Sequence, residues 1–405
     1  MSDEAPQLTN LGAVTEVITK GTTPTTIGGS FTHEGTAFIK VETIDTDGGI
    51  VAEKLAFIDS HTHSLLKRSQ LKEHDVLFSI AGVIGRTAII KQSMLPANTN
   101  QAIAILRPKI GLLDPQFLYY YLRSPHFFDY SLGRVVQTAQ ANVSLSELRI
   151  APIKLPHMMI QRKIAAILSA YDDLIENNTR RIKILEETAQ TIYREWFVNF
   201  RFPGHEKVRL VNSELGKIPE GWEIRSLGDI ADVQWGDTSV TKARYVEVGY
   251  DAYSASGLDG LLDYYDFERD GIVLSAIGAN CGKTWFASGK WSCIKNTIRF
   301  WANVDDVTTE YLYYATSSLA FWPRRGSAQP FISQGDAQNC LILCPDKDML
   351  TMFTEFVDNS LKQIETLRDK NTVLRRTRDL LLPRLISGEL DVSDLNIVIN
   401  GSGGN

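Results

Sequence analysis

The residues in this chain whose spacing most suggests chemistry are Gly278-Ala-Asn-Cys-Gly282-Lys283-Thr284, which approach a phosphate-binding loop. That loop needs four residues between its glycines, so that successive backbone N–H groups wrap a phosphate, and this segment has three. Its counterpart in the first half, Gly82-Val-Ile-Gly85-Arg86-Thr87, is shorter still and carries Arg where the loop needs Lys. The pair reads instead as tight turns between strands that need glycine, either structural alone or presenting Arg86 and Lys283 to a phosphate or a base edge.

Other candidate chemistries fail on composition. Amino-group methylation of a base calls for an Asx or Ser followed by Pro-Pro and an aromatic, and the chain has no Pro-Pro pair. A nuclease needs paired carboxylates with a well-spaced acidic-x-Lys, which Pro345-Asp346 does not open. Cys281, Cys293, Cys340 and Cys344 offer neither a disulfide framework nor a metal. Cys340 and Cys344 bracket the strand-like CLILC, about 13 Å apart at ~3.3 Å per residue. His61 and His63, in the polar stretch DSHTHS, read as a solvated loop without a further ligand. No catalytic residue and no metal site is expected, which leaves an autonomous nuclease or nucleotidase as the weaker reading and a pure protein scaffold as a third.

What could be read by such turns is limited by charge. The net charge of -6 excludes a strongly basic nucleic-acid binder. Residues 12–150 hold 13 basic and 12 acidic side chains and residues 221–344 hold 10 and 15, so any DNA-facing patch must be local, which leaves room for a partner to supply much of the phosphate grip. The 43% hydrophobic content supports two or three cores. No run of about 18 apolar residues occurs and the start MSDEAPQLTN lacks a secretory layout, so a soluble, cytoplasmic chain without membrane contact is expected.

The elements that must position these residues are written twice. Leu11-Gly12 matches Leu227-Gly228, residues 75–90 match 270–286, FLYYYL (117–122) matches YLYYAT (311–316), and Gln140, Ser144 and Pro156 align with Gln329, Ser333 and Pro345. The offset shrinks from 216 to 189 residues, which makes the second variable region shorter. Each copy mixes strand-like runs such as DVLFSI and QAIAIL with a helix at PQFLYYYLRS, and the turn-rich pieces GTTPTTIGGS, DTDGG and LPANTN are expected to be contact loops. The tyrosines at 119–121 and at 311, 313 and 314 are assigned to the core rather than to base stacking.

Each copy runs into a long helix with a four-three apolar spacing. The first stripe is Ile164, Leu168, Tyr171, Ile175, Asn178, Ile182, Leu185, Ala189, Ile192 and Trp196. The second, 189 residues on, is Phe353, Val357, Ser360, Ile364, Leu367, Asn371, Leu374, Arg378, Leu381 and Leu385. Such stripes should pair the two helices, with Asn178 and Asn371 as polar register marks that need not touch and Arg378 as a departure. A helix over 157–199 would be about 60 Å long, a rod with a head at each end if the two helices run antiparallel.

The expected fold is therefore α+β: two mixed α/β heads separated by two long helices packed as an antiparallel coiled coil, with an internal pseudo-twofold repeat. The expected boundaries are 1–156 for the first head, 157–200 for the central helix, 201–220 for a linker, 221–345 for the second head, 346–392 for the C-terminal helix and 393–405 for a tail. Base-reading candidates are the polar loop residues Lys20, Thr22, Thr23, Arg86, Asn98, Asn100, Gln140 and Asn142, then Lys242, Arg244, Lys283, Lys295, Asn296, Arg324, Arg325 and Gln329. Asn and Gln suit adenine, and Arg and Lys suit guanine.

The order head, helix, head, helix, together with LPHMMIQRKIAAILSAYDDLIENNTRRIKILEETAQTIYREWFVNFRF, PEGWEIRSLGDIADV and LRDKNTVLRRTRDLLLPRLISGELDV, resembles the specificity subunits of Type I restriction-modification systems over nearly the whole chain. The resemblance implies a non-catalytic subunit with two target-recognition domains for a bipartite, asymmetric double-stranded DNA site. It also implies two methyltransferase subunits and restriction/translocase subunits as partners. S-adenosylmethionine and ATP with magnesium are then expected in those partners and no cofactor in this chain.

Overall fold

The computed structural model describes residues 7–133 and 142–397 and divides into two compact units. Unit one comprises Met1–Asn178 with Lys370–Asn405, and unit two comprises Thr179–Asp369. Each unit thus holds one head and a piece of both long helices, Met158–Tyr193 and Lys347–Ser387.

The repeat read from the sequence is a repeat of structure. In unit one a four-stranded antiparallel sheet runs in the order Thr15–Lys20, Ile103–Pro108, Val76–Ser79, Thr87–Ile89. Unit two repeats it as Ala231–Trp235, Thr297–Ala302, Gly271–Ser275, Thr284–Ala287. The central strands are buried on both faces, Val76–Ser79 and Gly271–Ser275 throughout, which explains their unbroken apolar runs. A smaller four-stranded sheet accompanies each, containing one parallel pair: Thr36–Ile39 with Ala97–Thr99, and Tyr250–Ser254 with Lys290–Cys293. A two-stranded ribbon closes each head at its chain ends, Gln7–Asn10 with Pro152–Leu155 and Glu223–Ser226 with Leu341–Cys344.

One helix per head covers the larger sheet. Pro115–Arg123 begins where Asp114 accepts from the amides of Gln116 and Phe117, with Pro115 at the first turn. Its Phe117 through Leu122 are all buried, so the tyrosines at 119–121 are core residues. In Thr309–Thr316 of unit two, Tyr311 and Tyr314 are buried likewise.

Within each unit the long helices pair antiparallel. In unit one Asp172 meets Arg378 while Asn178 meets Asn371, so numbers rise on one helix as they fall on the other. Unit two repeats the sense, with Glu186 on Arg368 and Tyr193 against Phe353. Every position of both four-three stripes is buried or half-buried, including Ile164, Leu168, Ile175, Ile182, Leu185, Ile192, Phe353, Val357, Ile364, Leu367, Leu374 and Leu381. The two asparagines do touch: Asn178 Nδ2 donates to Asn371 Oδ1 at 2.9 Å. A buried amide on the seam of one helix is satisfied by the amide that faces it.

The first long helix is shorter than its periodicity suggests. It is α-helical to Tyr193 and finishes as a π-helical turn, Arg194–Val198. That turn brings Phe197 into the unit-two core with Phe202 and Trp222. The segment DSHTHS, read as a solvated loop, is instead the helix Ser60–Leu65, started by Asp59, whose Oδ1 accepts from the Thr62 amide at 2.6 Å. The four cysteines are buried free thiols. Among the described residues no helix is long and apolar enough to cross a membrane.

Candidate nucleic-acid interface

The two glycine turns hold equivalent places. Ser79 N donates to Arg86 O at 2.8 Å and Gly85 N to Ser79 O at 3.1 Å; in unit two Ser275 N donates to Lys283 O at 2.8 Å and Gly282 N to Ser275 O at 2.9 Å. Each turn is anchored again by Ile80 N on Ala102 O, or Ala276 N on Asn296 O, and by Val143 N on Ile80 O, or Ile332 N on Ala276 O. Gly82 and Gly85 have φ of 74° and 95°, and Gly278 and Gly282 of 99° and 95°, the left-handed region where a side chain is strained. Arg86 and Lys283 therefore stand at one site of one turn in both heads. The chain after Lys283 is a strand, Thr284–Ala287, and not a helix, so no helix N-terminus is there to hold a nucleotide phosphate.

In unit two, loops gather around this turn. Gly278 N bonds Pro330 O, Phe331 exchanges hydrogen bonds with Arg325, and a methyl group at Gly282 would meet the Arg324 side chain at 3.3 Å. Asn296 (φ 72°) and the exposed Lys295 border it through Ala276 and Val240. Lys283, Lys295 and Arg324 are exposed and form no ion pair among the described residues, as is also true of Arg244. Gln329 is exposed on the same rim. Two candidates are less available: Lys242 is tied to Asp259, and Arg325 to Asp336. The acid beside each offsets its charge, so the positive charge of the rim is left to the unpaired Lys283, Lys295 and Arg324.

In unit one Lys20 ends its strand and leads into Gly21, whose amide bonds Ile103 O, and Thr22, whose amide bonds Thr99 O at 3.1 Å. Thr22 Oγ1 accepts from Arg68 Nη2 at 3.0 Å and Thr23 bonds Gln101. Asn100 caps the next turn with Oδ1 on Ala102 N, and the exposed Asn142 pairs with Ala81 beside the glycine turn. Gln140 lies outside the described residues. Arg86 is half-buried, with Nη1 3.4 Å from Ile44 O.

Asn98 is a correction. It is fully buried, its Nδ2 donates to Leu66 O at 3.2 Å and Ser69 Oγ at 3.1 Å, and its Oδ1 is bonded by His63 Nδ1. With both ends of the amide engaged, nothing remains to offer a base. His63 is thereby a structural partner too. Sequence reasoning also passed over Arg68 and Gln101, which stand beside Thr22 and Thr23; in the sequence they lie 46 and 78 residues from those threonines, and only the fold brings them together.

The loop DTDGG is a second correction. It is not a free contact loop, because Asp47 accepts from Arg375 Nε at 2.9 Å and from Arg378 Nη1 at 3.2 Å on the second long helix. Arg123 bonds the Asp47 and Thr46 carbonyls, and Tyr119 Oη donates to Asp47 O at 2.8 Å. Burial works against the Asp47 carboxylate, but the two guanidinium groups outweigh it and hold its pKa below the ordinary 3.8.

The two heads are one duplicated fold with a cation-bearing turn at the same place in each. The comparisons make this specific: residues 9–187 and 219–374 match the Type I restriction modification DNA specificity domain, and the chain belongs to that family. It is a non-catalytic specificity subunit, which recognises DNA sequence within a Type I restriction-modification complex. It is 28% identical over 352 residues to the Type I restriction enzyme MjaIX specificity subunit of Methanocaldococcus jannaschii, covering 79% of this chain and 78% of that one. The HindI specificity subunit of Haemophilus influenzae is 21% identical over 406 residues, covering 80% and 88%. The fold is shared with the crystal structure of the Type I system S subunit from M. genitalium, at a TM-score of 0.59 and 17% identity over 95% of this chain and 97% of that one.

Proposed function

We propose that each head reads one half of a split, asymmetric DNA site through the loops around its glycine turn, with Arg86 and Lys283 as equivalent phosphate or base-edge contacts. The observation that carries this reading is the recurrence of a cation at one hydrogen-bonded position of one turn in two heads whose neighbouring loops differ. Different loops on a repeated frame suit two different half-sites, and the shared cation suits the backbone common to both.

Around the first turn the polar groups on offer are Lys20, Asn100 and Asn142. Around the second they are Lys295, Asn296, Arg324 and Gln329, with Arg244 exposed elsewhere on the same head. The described rims hold too few unpaired cations to neutralise a long stretch of duplex. In this reading two methyltransferase subunits, bound to the helices, close around the DNA and supply the remaining grip. Restriction/translocase subunits complete the assembly in the cytoplasm, and S-adenosylmethionine and ATP with magnesium are bound by those partners. The recognition units correspond to 1–156 and 221–345, joined by helical spacers that set the distance between half-sites.

The test is to co-express the chain with its methyltransferase partner and map methylated adenines on plasmid DNA by single-molecule sequencing. The expected result is a split motif with a fixed gap. A single contiguous motif would overturn the two-headed reading, and an assembled complex that binds DNA without sequence preference would leave the chain a protein scaffold.

A further inference from the structure

The Asp45–Gly49 loop touches both the second long helix and the edge of the larger sheet in unit one. It closes on itself through Asp45 N on Gly49 O at 3.0 Å and Gly49 N on Asp45 Oδ1 at 2.8 Å. On its helix side Asp47 meets Arg375 and Arg378, and Arg378 also donates to Asp172 Oδ1 at 2.6 Å, whose other oxygen accepts from Tyr120 Oη at 2.6 Å. On its sheet side the loop packs where strand Thr87–Ile89 begins: a side chain at Gly48 (φ 90°) would run into the Tyr119 hydroxyl and meet the Thr87 carbonyl oxygen. At its base, Ile44 O faces the Arg86 guanidinium.

This network is not what the fold itself requires. The stripe position that matches Arg378 in unit two is Ala189, and the position that matches Asp172 is Leu361, both compatible with the same head, sheet and helix pairing. A set of charges where apolar residues serve elsewhere in the same chain adds definition of geometry more than net stability. Only 5% of the Arg378 side chain is exposed, so the geometry it imposes is fixed and not a loose surface pairing.

We propose that the Asp45–Gly49 loop is a positioning clamp, held by Arg375 and Arg378 on the second long helix, that fixes Arg86 and its turn for contact with DNA. Asp47 and the two arginines are positioning residues and touch no DNA themselves. The inference rests on the reading that the Arg86 turn contacts DNA.

The test uses the complete complex with its methyltransferase partner and a duplex carrying the motif mapped for the wild type. D47N keeps the shape of the side chain and removes its charge, R375Q removes one arm at a half-exposed arginine, and R86A removes the presented cation. D47N and R375Q should each weaken target binding by about three- to tenfold with little change in melting temperature, and D47N added to R86A should cost little beyond R86A alone, as for residues acting in one chain. Preference at the second half-site should stay intact. Independent, multiplying effects of D47N and R86A would overturn the clamp, as would wild-type binding by folded D47N and R375Q. Should R86A alone bind as wild type does, the reading of the turn fails, and the clamp with it; if the wild type yields no split motif, the failure lies with the two-headed reading itself.

Discussion

The two units fasten a head to the long helices by different chemistry. In unit one the contact is aliphatic and ionic: Ile164, Leu168, Leu382 and Ile386 fill the core while Arg378 is shared by Asp47 and Asp172. At the matching positions unit two places Phe353, Val357, Tyr193 and Phe197, and no charge stands at 189. The Phe353 and Phe197 rings meet edge to face at 4.9 Å, and Tyr311 and Tyr314 close around Phe353 at 6.3 and 5.7 Å. One repeat is thus held by area and ring geometry, the other by direction and charge. The lesson is that a duplicated frame keeps the stripe spacing and exchanges the means of attachment.

The sharpest break in this comparison is Phe353→Ala. Its side chain is fully buried against at least five aromatic rings, and truncation should cost about 3–5 kcal/mol. Ile164→Ala, the matching change in unit one, should cost about 2–4 kcal/mol, at the lower end because the smaller side chain leaves a smaller cavity. Chemical denaturation of the two variants side by side measures the difference; equal losses would deny that unit two depends more on its aromatic cluster.

Next in size is the asparagine pair. Asn371→Leu leaves Asn178 facing an apolar partner and should destabilise by about 1–3 kcal/mol. Replacing both with Leu should recover that loss, since an apolar seam is the more stable one, while loosening register. Denaturation midpoints report the first effect, and disulfide trapping of engineered cysteine pairs on adjacent turns reports the second. A double variant as unstable as the single one would mean that the amides contribute more than register.

The cationic turns come third, because each is one contact among many. Arg86→Ala and Lys283→Ala should each lower the slope of log affinity against log salt by about 0.9, as expected when one phosphate contact is lost. The measurement is a salt titration of the complex on its duplex. An unchanged slope in both would remove the turns from the backbone contacts.

How much of this was open to a reader of the sequence depends on range. The duplication, the stripes and the cation turns are local patterns, and each is realised: periodicity of 3.5 dictates which face is buried, and glycine spacing dictates the turn. Arg378 stood out as a departure from the stripe, but its reason did not, since Asp47 is 331 residues away and reaches it only through the folded head. Asn98 failed for the same reason. Its residue type suits adenine, and only tertiary structure shows His63, Leu66 and Ser69 already using it. Polar residues in loops announce hydrogen-bonding capacity; whether that capacity is spent inside the protein is decided by long-range contacts.

The smallest expected effect isolates the ionic attachment of unit one. Asp47 faces Arg375 and Arg378 from the second long helix and Arg123 and Tyr119 from the Pro115–Arg123 helix, with Asp172 on the far side of Arg378. Because its pKa is held below 3.8 in the folded state, the folded protein binds fewer protons there than the unfolded chain. Its contribution is therefore fully present above pH 3.8 and is lost as pH falls through the lower, folded value. Part of the carboxylate is open to solvent, which screens the attraction and keeps the effect small. The small difference between the thermal melts of the wild type and D47N at neutral pH should vanish at the acid end, whereas a gap of constant size across that range would mean that Asp47 acts through shape rather than charge.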